Sequence, residues 1–145
     1  MTTTTPTPSP EAGALRLDRT AVVHLASDLS MCALGVDEEA WSGREGAAQF
    51  ADGRLLSVFA YEATWTWWER HPAGEEFVHV LSGSVGFRLD DGSTERRVLL
   101  DAGESLLVPE GVWHSADVAS GARLLFVTPV PAATEHRDRS PGSVG

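Results

Sequence analysis

The sequence predicts an all-β protein, a sandwich or barrel built from short strands. Two observations carry this reading. From residue 54 onward, β-rich runs follow one another: "RLLSVFAYE", "ATWTWWERH", "EEFVHVLSG", "SVGFRLDDG", "ERRVLLDAG", "ESLLVPEG", "VWHSADV" and "ARLLFVTPV". Turn signals separate them: "PAG", "SG", "DDGS", "DAG", "PEG" and "ASG". Many short strands at such spacing mark sandwiches and barrels.

The elements follow in order along the chain. Residues 1–12 are rich in Thr, Pro and Ser and read as a disordered tail. "AVVHL" (21–25) reads as a short strand. "LASDLSMCALGVDEEAWSGREG" (25–46) is ambiguous between a short helix and loop. "DDGS" (90–93) reads as a tight hairpin turn, with Gly92 supplying a positive φ. The closing "SPGSVG" (140–145) reads as a frayed end. No internal repeat, phosphate-cradling loop or serine elbow is found.

Composition narrows the function. A length of 145 residues suits one domain with a real core. The net charge of -10, from 11 Lys+Arg against 21 Asp+Glu, argues against nucleic acid or an anionic membrane as partner, since both need a basic footprint. Cys32 is the only cysteine, which excludes an intrachain disulfide and a thiolate-rich zinc site. No apolar run reaches membrane-spanning length, and "MTTTTPTPSP" lacks the basic and apolar regions of a signal peptide. A cytoplasmic protein is the resulting expectation.

Strand alternation then sorts the side chains. In "WTWWERH" it puts Trp65, Trp67, Glu69 and His71 on one face, and Thr66, Trp68 and Arg70 on the other. Pro72 biases His71 toward extended backbone. In "EFVHVL", Glu76, Val78 and Val80 share a face opposite Phe77, His79 and Leu81. In "VWHSA", Val112, His114 and Ala116 share a face. If the Glu69/His71, Glu76 and His114 faces all point inward, the interior holds two imidazoles and two carboxylates walled by Trp65, Trp67, Val78 and Val80. Uncompensated burial of a carboxylate costs several kcal/mol. A divalent cation is the simplest compensation, and this donor set suits Fe, Mn, Zn, Ni or Cu.

The chain at this point resembles the cupin superfamily of small β-barrels. Its first motif is G-x5-H-x-H-x(3,4)-E-x6-G, onto which His71, Glu76 and Gly83 fall. Its second is G-x5-P-x-G-x2-H-x3-N, onto which Gly103, Pro109, Gly111 and His114 fall. Glu69 stands where the first histidine is expected, Ala63 where the opening glycine is, and Val118 where the asparagine is. The run Trp68-Glu69-Arg70-His71-Pro72 and the closing "TEHRDR" look like a group of small bacterial single-domain cupins. The resemblance spans roughly residues 54–128. It implies a double-stranded β-helix, or jelly-roll barrel, over 13–139. It also implies a metal held by Glu69, His71, Glu76 and His114, of Fe, Mn, Zn or Ni character.

The expected function is a metal-dependent enzyme acting on a small organic molecule. Oxygenase-type chemistry is the first expectation; lyase or isomerase chemistry, with Glu69 as base, is the second. The rivals are a non-catalytic small-molecule binder or sensor and a metal-free structural dimer. Trp65 and Trp67 either pack the core or wall a ligand pocket. Trp68 and Phe77, read as outward aromatics, point to a homodimer. Trp113 is read as outward. Glu75, Arg88, Arg96 and Arg97 are read as solvated, and His136 as part of a salt-bridged polar cap.

Overall fold

A computed structural model describes residues 13–36, 52–129 and 134–140. The expected N-terminal tail and, apart from Ser140, the expected C-terminal tail lie outside them, as does most of the second half of the ambiguous 25–46 stretch. Ten strands are found: β1 (Ala21–Leu25), β2 (Met31–Gly35), β3 (Arg54–Tyr61), β4 (Trp67–Arg70), β5 (Glu76–Asp90), β6 (Glu95–Asp101), β7 (Ser105–Val108), β8 (Trp113–Asp117), β9 (Ala122–Pro129) and β10 (Glu135–Asp138). Every strand pairing is antiparallel. No helix occurs among the described residues, so none is long and apolar enough to cross a membrane. The described part of the ambiguous stretch is a β1–β2 hairpin rather than a helix.

The architecture turns on β5. Its first half pairs with β7 and β9, and its second half with β6 and β8. One sheet therefore runs β2-β1-β3-β9-β5-β7, and the other β6-β5-β8-β4-β10. The two sheets share a core in which Val78, Val80, Leu124 and Phe126 of the first meet Phe87, Leu89, Leu100 and Ala116 of the second. This is all-β, as the run of short strands predicts, and a jelly roll, as the cupin resemblance implies.

"SG" at 82–83 was expected to break "EEFVHVLSG" from "SVGFRLDDG", and it does not. The register shifts between Val80 and Ser82, and the strand continues. Gly83 has φ 76, and a Cβ there would lie 2.3 Å from the Gly121 carbonyl oxygen. Only glycine fits this position, so the turn signal marks the close approach to Gly121, just after the register shift, where one strand passes from sheet to sheet. The "DDGS" turn forms as expected, with Gly92 at φ 95 and its N–H donating to Asp90 Oδ1.

Two outward assignments are corrected. Trp68 lies opposite Trp67 as alternation requires, yet it is only 6% exposed. β10 pairs beside β4, and the Arg137 guanidinium sits 5.2 Å from the Trp68 ring centroid. Arg88, expected to be solvated, is buried. Its Nε donates to Asp117 Oδ2 at 3.0 Å, and Arg139 donates to Asp117 Oδ1 at 2.6 Å. Arg97 adds a third donor at 3.1 Å. Burial works against the Asp117 carboxylate, but Arg139 and Arg88 outweigh it and hold its pKa below the usual range. Asp117→Asn removes the carboxylate that Arg139 and Arg88 share. It leaves Arg88 with Glu95 at 3.2 Å and the buried Arg139 with no carboxylate among the described residues, and is expected to cost about 3 kcal/mol. Urea denaturation measures it; a cost under about 0.5 kcal/mol, the range of ordinary surface substitutions, would show that water already solvates this cluster.

Candidate metal centre

Four side chains meet inside the barrel. Glu69 lies on β4, His71 just after it, Glu76 opens β5 and His114 lies on β8. Glu69 and His114 are direct cross-strand partners, so both point to the same face. Pro72 follows His71 and ends the β4 run. The His71 carbonyl oxygen accepts the Gly111 N–H at 3.1 Å, which ties the first motif to the loop that delivers His114.

The geometry is compact. His71 Nε2 lies 3.1 Å from Glu76 Oε2 and 3.8 Å from Glu69 Oε1. His114 Nε2 lies 3.1 Å from Glu76 Oε1 and 3.4 Å from Glu69 Oε1. One donor atom from each residue falls within 4.8 Å of all the others. An ion about 2.1 Å from each donor separates neighbouring donors by about 3.0–3.4 Å. Three of the four histidine–carboxylate distances, at 3.1–3.4 Å, have this spacing, and His71–Glu69, at 3.8 Å, is wider. His71, Glu76 and His114 are buried, and the Glu69 side chain is 15% exposed.

The outer partners orient the donors inward. His114 Nδ1 donates to the Val112 carbonyl at 3.2 Å. His71 Nδ1 lies 2.9 Å from Thr134 Oγ1. Both rings thus turn Nε2 to the centre. Thr128 Oγ1 donates to Glu76 Oε2 at 2.7 Å. His71 Nε2, His114 Nε2 and Glu76 Oε1 are buried and make no aligned hydrogen bond. Buried polar atoms are rarely left so, and three around one point are what a cation would satisfy. Two carboxylates also balance a divalent charge.

The electrostatics follow from the same contacts. Burial works against ionisation of Glu69, but the imidazoles of His114 and His136 outweigh it and hold the carboxyl well below the usual range. Burial likewise opposes ionisation of Glu76, and His114 and His71 reverse it. Burial disfavours the His114 imidazolium, yet Glu69 and Glu76 push its pKa up to about 10. The metal-free site therefore holds an imidazolium between carboxylates.

Trp65 is 2% exposed and stacks on Trp67 at 4.8 Å between ring centroids. Val78 and Val80 are fully buried in the same core, so all four expected wall residues lie in or against it. The Trp65 Nε1 donor has no partner among the described residues. Glu75 is solvent-exposed and pairs with Arg54 at 3.7 Å, as a neighbour outside the group. Trp113 packs under Arg70 and Arg137, whose guanidiniums lie 4.7 and 4.5 Å from its ring centroid.

His136 was missed as a site residue. It pairs directly with Glu69 across β10 and β4, and its Nε2 lies 3.4 Å from Glu69 Oε2. Glu69 raises its pKa. Nothing local in "TEHRDR" signals this, because the contact exists only once the C-terminal strand docks.

A comparison with protein families agrees with the fold. Residues 56–128 match the cupin domain family (Cupin_2), and the chain belongs to that family. No curated protein matches. Among solved structures, a cupin-2 domain containing protein from Shewanella frigidimarina is 21% identical with a TM-score of 0.46, over 52% of this chain and 70% of that one. Hydroxypropylphosphonic acid epoxidase from S. wedmorenis, in complex with fosfomycin, is 25% identical with a TM-score of 0.45, over 52% of this chain and 43% of that one. Hydroquinone 1,2-dioxygenase from Sphingomonas sp. TTNP3 is 20% identical with a TM-score of 0.47, over 55% and 61%. The match thus spans under half of the epoxidase.

Proposed function

We propose that this cupin is a metal-dependent enzyme acting on a small organic molecule, with oxygenase-type chemistry. The carrying observation is the trio of buried, unaligned donor atoms on His71, Glu76 and His114. These three hold the ion, and Glu69 is the fourth ligand. Nitrogen and carboxylate oxygen donors without thiolate suit Fe, Mn, Zn or Ni. A divalent ion bound here supplies Lewis acidity and a substrate anchor, and iron adds O2 activation.

The chain's own groups do the rest. Trp65 and Trp67 wall the substrate side with Val78 and Val80 and exclude water. The unpartnered Trp65 N–H offers a donor to a substrate acceptor atom. Lyase or isomerase chemistry needs Glu69 as a proton acceptor. Glu69 is placed to be that acceptor only if it is not itself bound to the ion. Its Oε1 lies 3.4 Å from His114 Nε2 among the other donors, which favours the ligand role and with it the oxygenase reading.

Elemental analysis after loading with Mn, Fe, Ni and Zn in turn tests the metal, with stoichiometric uptake expected. A chain that takes up none of them ends the metalloenzyme reading and leaves the metal-free structural dimer, whereas ligand binding without turnover in the loaded protein leaves the non-catalytic binder. Glu69→His restores the usual H-x-H and separates the chemistries. Metal is expected to persist or bind more tightly, and metal-dependent O2 uptake to survive. Turnover lost while metal is retained would instead point to Glu69 as a catalytic base.

We also propose a homodimer, now on Phe77 and its neighbours without Trp68. Trp68 is covered, but among the described residues nothing covers Leu107 and Phe77 on the outer face of the first sheet. Cross-strand pairing aligns Leu107, Phe77, Val127, Leu56 and Val23 in one apolar row over five strands. Leu107 is 61% exposed and Phe77 36%. Sedimentation is expected to show a dimer at micromolar concentration and a monomer for Leu107→Glu. A wild-type monomer under those conditions would end this reading.

A further inference from the structure

We infer that the C-terminal strand β10 is the outer support of the metal centre, so that docking this strand and binding the ion are one coupled equilibrium. This rests on the metal reading above. It adds that residues beyond the matched cupin segment, which ends at 128, control the site.

Two ligands depend on this strand for their outer contact. Thr134, just before β10, places Oγ1 2.9 Å from His71 Nδ1. His136 places Nε2 3.4 Å from the Glu69 oxygen that faces away from His114. Glu69 and His71 flank the end of β4, the strand on which β10 docks. The other two ligands find their outer contacts elsewhere, His114 on Val112 and Glu76 on Thr128. The support is thus divided: one pair is braced from within the matched segment, the other from β10.

β10 itself is short and, among the described strands, lies at a sheet edge and pairs only with β4. Side chains hold it there. Arg137 bridges the Trp68 and Trp113 rings and pairs with Asp90 at 2.9 Å. Glu135 accepts from Arg70 Nε at 2.6 Å. Arg139 N–H donates to the Thr66 carbonyl at 3.0 Å. None of these residues touches a ligand donor atom. The buried Arg139–Asp117 pair at 2.6 Å anchors the chain just after β10, whereas the four residues of β10 itself are held by half-exposed charge pairs. Residues 134–138 therefore have a docking energy small enough for an ion to shift. A bound ion fixes His71 and Glu69, and fixed ligands hold Thr134 and His136 in place. By linkage, the strand strengthens the ion's binding by the same factor.

The test uses the full chain loaded with Zn, with affinity read by chelator competition and backbone exchange by mass spectrometry. Thr134→Val and His136→Phe are each expected to weaken binding about 10-fold or more, the usual cost of losing an outer-shell partner. Thr134→Ser and His136→Gln restore a hydroxyl and an N–H donor and are expected to recover most of it. Arg137→Ala touches no ligand, yet is expected to weaken binding as well. In the wild type, loading is expected to slow amide exchange in 134–139 and leave β1–β2 unchanged. Stoichiometric Zn in the wild type, with Thr134→Val, His136→Phe and Arg137→Ala all folded and within twofold of it, would overturn the coupling and spare the metal reading. Unchanged exchange in 134–139 on loading would do the same. No Zn in the wild type removes both.

Discussion

Replacing His114 with alanine is expected to remove the metal and to weaken the metal-free fold at once. His114 is fully buried, and its Nε2 lies within 3.4 Å of both carboxylates. Loss of an outer-shell partner alone weakens binding about 10- to 100-fold, so loss of this ligand should exceed about 100-fold. The second effect comes from charge. With its pKa raised to about 10, the metal-free ring is an imidazolium at neutral pH and the counter-ion of Glu69 and Glu76. Breaking a buried pair by deleting one partner costs about 3–5 kcal/mol. Elemental analysis and urea denaturation with and without metal read the two effects separately. Glu75→Gln, next in sequence to a ligand but outside the group, is the control and should change neither. Stoichiometric metal retained by His114→Ala would displace the site from these residues.

Much of this site is legible in the sequence because strand alternation is a local rule. Glu69, Glu76 and His114 each sit at an inward position of their own strand, and the two motifs fix their spacing. Pro72 keeps His71 extended, so that it joins them. Three features were not legible, each because it depends on a distant partner. Arg88 reads as a solvated hairpin residue until Asp117, on the adjacent β8, accepts its Nε. "SG" reads as a turn unless one knows that Gly121 approaches Gly83 and that the strand must serve two sheets. β10 reads as a polar tail, since "EHRD" carries no apolar face. Its pairing with β4 covers Trp68, which removes one of the two reasons for expecting a dimer and moves the argument to Phe77 and Leu107.

Metal uptake is expected to expel a proton from His114 throughout the neutral range, so that affinity rises with pH to about 10. The sign follows from competition for one lone pair. In the metal-free site Nε2 carries the proton at pH 7; an ion bound there must displace it. Each pH unit below about 10 therefore lowers the affinity about tenfold, or about 1.4 kcal/mol. A histidine at its ordinary value near 6.5 would give a plateau above about pH 7.5 instead. Glu69 and Glu76 add nothing at neutral pH, because both are held below the usual carboxylate range and are already ionised. Stability of the metal-free fold carries the same signs. The His114 contribution is full below its unfolded value of 6.5 and is lost as pH rises toward about 10. The Glu76 contribution is full above 4.5 and is lost as pH falls through its lowered folded value. The metal-free fold should thus be most stable from about pH 4.5 to 6.5, and the loaded fold should hold its stability to higher pH. Calorimetry of Zn binding at pH 8 in buffers of different ionisation enthalpy counts the protons. About one per ion is expected from this histidine, and a binding heat independent of the buffer would mean that His114 is not protonated in the metal-free site.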